Sequence, residues 1–69
     1  MRKFKVNDVV QSKADETFFF KIRAVYKDCY DAADCDKNGK LTGGSIDIWY
    51  NNGYADEGYA VENDFVKVG

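Results

Sequence analysis

Ser45-Ile46-Asp47-Ile48-Trp49-Tyr50-Asn51-Asn52-Gly53-Tyr54-Ala55-Asp56-Glu57-Gly58-Tyr59-Ala60-Val61-Glu62 opens as an alternating strand. Ile46, Ile48 and Tyr50 share one face, Asp47 and Trp49 the other, the period of two expected of a half-buried strand. Asn51-Asn52-Gly53 then reads as a hairpin turn, because Asn and Gly accept the left-handed backbone that tight hairpins need. A five-residue echo follows, Gly53-Tyr54-Ala55-Asp56-Glu57 and then Gly58-Tyr59-Ala60-Val61-Glu62, with residues 58–61 expected as a short strand. The single tryptophan and three of the five tyrosines lie here, so the stretch is expected to supply both core and surface.

Residues 17–26, Thr-Phe-Phe-Phe-Lys-Ile-Arg-Ala-Val-Tyr, carry the strongest strand pattern. Phe18, Phe20, Ile22, Ala24 and Tyr26 fall on one face, Phe19, Lys21, Arg23 and Val25 on the other, and such side chains suit a pleated surface. Ile22, Val25, Tyr26, Cys29, Tyr30 and Ala33 also fit helical spacing. The reading adopted continues the strand to Tyr26, with a turn or short extension over residues 28–34. Asn7-Asp8 is turn chemistry before a short strand at Val9-Val10. Asp36-Lys37-Asn38-Gly39 reads as a hairpin tip with positive φ at its two central positions, Gly43-Gly44 as a bend or bulge, and residues 65–68 as a last strand. Short strands separated by turns point to a small barrel or sandwich.

At 69 residues the chain is one domain, spanning 1–69, with a core that is small for its surface. The aromatic share of 16% compensates, since each ring buries roughly 150–250 Å². No apolar run reaches the roughly 20 residues that cross a bilayer. Met1-Arg2-Lys3 is basic, but no apolar segment follows it. A cytoplasmic protein with no membrane role is expected, and in that compartment Cys29 and Cys35 are free thiols. The net charge of −2 is uneven: residues 1–27 carry +4 and residues 28–69 carry −6. That distribution argues against a domain-wide basic footprint for nucleic acid.

The opening Phe4-x-Val6-Asn7-Asp8-Val9-Val10 resembles the first strand of small SH3-like barrels of the bacterial and phage kind, an apolar residue and a Gly-Asp turn before Val-Val. Asn7 stands where glycine is usual, and Asn tolerates the left-handed region. The ending Val61-Glu62-Asn63-Asp64-Phe65-Val66-Lys67-Val68 resembles the turn and last strand that close such barrels. The match covers roughly the first twelve and last ten residues. It implies a mostly β fold, a small SH3-like barrel of about five antiparallel strands, and no particular activity. The core expected on this basis is Phe4, Val6, Val9, Phe18, Phe20, Ile22, Ala24, Ile46, Ile48, Val61 and Val66.

Function is read from three constellations. Trp49, Tyr50, Tyr54 and Tyr59, beside Asp56 and Glu57, make an aromatic and acidic surface; Trp and Tyr are the residues that dominate protein interfaces. Two or three of these rings are expected to be core, with at least one of Trp49, Tyr54 and Tyr59 exposed. Residues 34–45 resemble a calcium loop of the EF-hand kind. Asp34, Asp36 and Asn38 hold its first, third and fifth positions and Gly39 its sixth, but Ser45 stands where a bidentate glutamate closes the shell. An Asp/Asn/Gly hairpin turn accounts for the same residues without a metal. Lys5, Lys21 and Arg23 around Phe19 offer a small basic face for single-stranded nucleic acid. The opposite idea is a DNA-mimicking inhibitor, built on Asp28, Asp31, Asp34, Asp36, Asp56, Glu57, Glu62 and Asp64. There is no histidine and no nucleophile paired with a base, so no enzyme is expected. The reading adopted is a non-catalytic intracellular adaptor or regulator, of bacterial or phage origin, that binds another protein and works as a monomer or homodimer. Calcium binding and nucleic-acid binding are the alternatives.

Overall fold

The computed structural model describes residues 3–68; Met1 and Arg2 of the basic opening, and Gly69, lie outside the described residues. Five strands are present: β1 (Val9–Ser12), β2 (Phe19–Val25), β3 (Cys29–Cys35), β4 (Leu41–Trp49) and β5 (Phe65–Lys67). They form one open antiparallel sheet in the order β4-β3-β2-β1-β5. The expectation of a mostly β domain with five antiparallel strands holds. No helix among the described residues is long and apolar enough to cross a membrane.

Asn7, with φ of 78°, is the only non-glycine residue with positive φ among the described residues, as the opening turn required. Its amide donates to the Ile22 carbonyl at 2.8 Å, and Ile22 returns a bond to the Asp8 carbonyl at 2.9 Å, so the turn extends the β1–β2 ladder. The Asp8 carboxylate accepts from the Lys5 amide at 3.0 Å and lies 3.8 Å from Lys67.

One face of the sheet holds the core. Val10, Ile22, Tyr30, Ile48 and Val61 are its largest fully buried side chains, each contributing roughly 1.5–3 kcal/mol by leaving water. Phe4 and Phe65 close it from the two ends of the chain, with Phe65 edge-on to Phe20 at 5.7 Å and Phe4 against Tyr30 at 5.6 Å. Phe20, Ile46, Tyr50 and Ala60 pack around it.

Several expectations fail here, mostly because strand parity shifts. Where a turn or short extension was expected over residues 28–34, Cys29–Cys35 is a full central strand, β3, that supplies Tyr30 and Ala32 to the core. β2 carries a bulge: Ile22 pairs with Ala32 but Ala24 pairs with Asp31, leaving Arg23 as the extra residue. The bulge reverses which side faces inward, so Ala24 pairs on the side away from the core and is only half-buried, while Val25 and Tyr26, at the end of β2 and beyond it, are exposed. Phe18 lies before β2 and is 56% exposed. Val6, ahead of the left-handed turn, is exposed. Val10 rather than Val9 faces the core; Val9 sits on the other face, where the β3–β4 turn brings Gly39 against it, a Cβ there lying 3.2 Å from Val9 Cγ2. The 3-10 turn Glu62–Asp64 sets Phe65 inward and leaves Val66 exposed.

The β3–β4 hairpin turns at Asp36 to Gly39 as expected, with the Gly39 amide bonded to the Asp36 carbonyl at 3.0 Å. Only Gly39 takes positive φ, so the turn is not the doubly left-handed kind predicted. Gly43 and Gly44 do form a bulge. Ala33 pairs with Ser45 and Cys35 with Leu41, so three β4 residues oppose Asp34 alone. Gly44 takes φ of 76° directly over the Asp34 carboxylate; a Cβ would stand 2.7 Å from its Oδ2.

After β4 the expected hairpin is absent. Residues 51–53 instead begin a 3-10 helix, Asn52–Glu57. Residues 58–61 form no strand, only a single parallel bridge from Val61 to Trp49. Cys29 and Cys35 are free, as expected. Six residues of extended strand hold them roughly 20 Å apart, too far for a disulfide.

Candidate functional site

Two consecutive local devices build the site. Asn51 caps the 3-10 helix, its side-chain oxygen accepting from the Gly53 amide at 3.0 Å. Gly58 ends it in the left-handed conformation, φ 89°. The Gly58 amide bonds back to the Ala55 carbonyl at 3.0 Å and the Tyr59 amide to the Tyr54 carbonyl at 3.3 Å. That pair of bonds is a Schellman closure, in which the residue after the glycine meets the residue five before it. Here those residues are Tyr59 and Tyr54, whose ring centroids lie 6.1 Å apart. The sequence echo thus becomes a contact between its two tyrosines.

Trp49 completes the group from the last position of β4, on the face opposite Ile48. Its ring is 5.5 Å from Tyr54 and 6.1 Å from Tyr59, each at a steep angle. Its amide donates to the Ala60 carbonyl at 2.9 Å, which ties the strand to the chain leaving the turn. Trp49, Tyr54, Tyr59 and Glu57 line a depression of about 290 Å³. Tyr59 is 54% exposed and Tyr54 37%, while Trp49 is half-buried. The expectation that at least one of the three is exposed holds.

The surroundings are acidic. Cys29 stands opposite Trp49 in the β3–β4 ladder, and Asp31 stands opposite Asp47. Burial first, and then the carboxylates of Asp47, Asp28 and Asp31, push the Cys29 thiol above its ordinary pKa. Arg23 answers one of these charges, at 3.0 Å from Asp31. No Lys or Arg lines the depression.

A buried network anchors the far side of the turn. The Tyr30 hydroxyl donates to Glu62 and accepts from the Phe4 amide at 3.1 Å. Burial, and then the bond to Glu62, push the Tyr30 phenol up to about 12. Asn52 accepts from the Asn63 amide at 2.9 Å, so the two 3-10 turns are bonded to each other.

Not all the predicted residues meet. Tyr50 turns inward, edge-on to Tyr30 at 4.7 Å, with its hydroxyl donating to the Tyr26 and Cys29 carbonyls. Asp56 shares the 3-10 helix but does not line the depression. Asp34 lies on the core side of β3 beneath Gly44. The Asp36 carboxylate accepts from the Asn38 and Lys40 amides at 2.8 and 3.0 Å, and the loop joins two strands. Among the described residues no group of three or more His, Cys, Asp or Glu side chains is placed to hold a metal. The contributions of Asn51 and Gly58 were missed in the sequence, although Asn-x-Gly ahead of a turn and Gly five residues later are the signals that carry them.

No protein family, curated protein or solved structure matches the chain.

Proposed function

We propose that the chain is a small, non-catalytic, intracellular binding module on an SH3-like barrel, which holds a partner protein against the Trp49–Tyr54–Tyr59 surface. The barrel reading is supported by the β4-β3-β2-β1-β5 order, by the 3-10 turns between β4 and β5, and by the bridge from Val61 to Trp49 that curls the end of the chain back to β4. The observation that carries the binding reading is three aromatic rings gathered at the surface rather than in the core. Aromatic side chains in such a position give large contact area at low entropy cost, and are the usual energetic centre of interfaces.

A partner protein is favoured over nucleic acid because the depression is edged by Glu57 and neighboured by Asp47, Asp28 and Asp31. Phosphates would be repelled there, and Arg23 of the small basic face is already paired.

Affinity capture with the intact chain, beside Tyr59→Ala, tests this. Tyr59 is 54% exposed and lies outside the core cluster, so the variant keeps its cooperative fold, which circular dichroism checks. A partner retained by the intact chain and lost from the variant supports the reading. Equal capture by both removes the triad from the interface.

A further inference from the structure

We propose that Trp49, Tyr54 and Tyr59, closed on one side by Glu57, form a cage for a methylated ammonium group carried by the partner. The inference rests on the binding reading above and names the chemistry that the surface selects.

Geometry comes first. The three ring centroids form a triangle with sides of 5.5, 6.1 and 6.1 Å, and the rings meet at 78°, 62° and 61°. Rings so steeply inclined cannot all stack on one planar ligand. Each pair meets edge to face, and the depression that all three border is walled by ring surface and Glu57. A cation seated over that triangle lies within the roughly 6 Å at which a ring quadrupole attracts charge. The volume of about 290 Å³ sits at the bottom of the range for small-molecule sites. It suits the head of one side chain rather than a drug-sized ligand.

Charge points the same way. The one ionisable side chain other than tyrosine in the lining is Glu57, a carboxylate. Around Cys29, which pairs with Trp49, stand Asp47, Asp28 and Asp31, the last paired with Arg23.

Hydration separates a methylated ammonium from an ordinary lysine. A bare ammonium is a compact, strongly hydrated charge with three donors to satisfy. A wall made mostly of rings returns few acceptors for them. Methylation removes donors and hydration while keeping the charge, so the same rings bind the group at less desolvation cost.

The test uses choline and its uncharged isostere 3,3-dimethylbutan-1-ol, followed by Trp49 fluorescence and by proton–nitrogen NMR. The expected result is saturable choline binding with amide shifts centred on residues 49 and 54–59, and roughly ten-fold weaker binding of the isostere. Glu57→Gln, an exposed position that leaves the fold intact, weakens choline several-fold. A peptide with trimethyllysine binds more tightly than the same peptide with lysine. Equal binding of choline and its isostere overturns the proposal, as does equal binding of the two peptides. Absence of choline binding, with partner capture still dependent on Tyr59, overturns the cage and leaves the binding surface standing. Loss of both ends both readings.

Discussion

Gly58 and Tyr30 show how much single residues control here. Gly58 holds φ of 89° and both amides of the Schellman closure depend on it. Gly58→Ala places a Cβ in a backbone region that costs roughly 1–2 kcal/mol for an L-residue. Nothing lies within 4 Å of that Cβ, so the loss is backbone strain alone. Urea unfolding should register it, and the near-UV circular dichroism of the Trp49–Tyr54–Tyr59 group should weaken with it. Tyr30→Phe removes the hydroxyl that Phe4 and Glu62 share, leaving a buried amide unpaired at a cost of about 1–3 kcal/mol. The phenol also carries a pH signature. Its ordinary pKa of 10 rises to about 12 in the fold. Below pH 10 both folded and unfolded chains keep the proton. Between 10 and about 12 only the folded chain keeps it, so stability falls as pH rises, by roughly 3 kcal/mol in total. Denaturation midpoints measured across that range should fall more steeply for the parent chain than for Tyr30→Phe.

Among the elements, the β3–β4 hairpin is the most exacting. Gly43 and Gly44 both have positive φ, but only Gly44 meets a neighbour, the Asp34 carboxylate. Gly43→Ala therefore carries strain alone, about 1 kcal/mol, and Gly44→Ala carries strain plus displacement of Asp34, about 2 kcal/mol or more. Equal losses in chemical denaturation would show that the close approach to Asp34 has no energetic weight. The Asp36 carboxylate is held by two backbone amides within the turn. The hairpin therefore needs no cation, and millimolar calcium should leave the melting temperature and the NMR shifts of residues 34–45 unchanged.

Over the whole molecule, one core cluster joins the first strand, the last strand and the turn that carries the aromatic site. Ala60 is the link, packed against the cluster with its carbonyl accepting from the Trp49 amide, and Val61 beside it is fully buried and bridges to Trp49. Val61→Ala should cost about 2 kcal/mol and unfold the domain as a single unit. Trp49 fluorescence and far-ultraviolet dichroism are expected to give coincident midpoints; separate midpoints would mean that the aromatic turn melts independently of the sheet.

Local chemistry was legible in the amino acids. Asn7 takes the left-handed turn, Asp36 to Gly39 turns the hairpin, Gly43-Gly44 bulges, and Phe4, Ile22, Ile48 and Val61 are buried as the pattern requires. The aromatic and acidic character of residues 49–59 was equally plain. What the tertiary structure alone decided is which way each segment faces and what pairs with what. The bulge at Arg23 moved Ala24 off the core, and β3 emerged from an acid-rich run because its neighbours on both sides supply the ladder and cover Tyr30. Residues 51–58 curled into a 3-10 turn instead of a hairpin, since Val61 and Ala60 reach Trp49 from that geometry. Side-chain period and turn residues are set by neighbours in sequence, whereas parity and burial depend on partners far along the chain; that is why the pattern could gather the rings of residues 49–59 but not say that Tyr50 turns inward against Tyr30 while Trp49, Tyr54 and Tyr59 meet Glu57 at the surface.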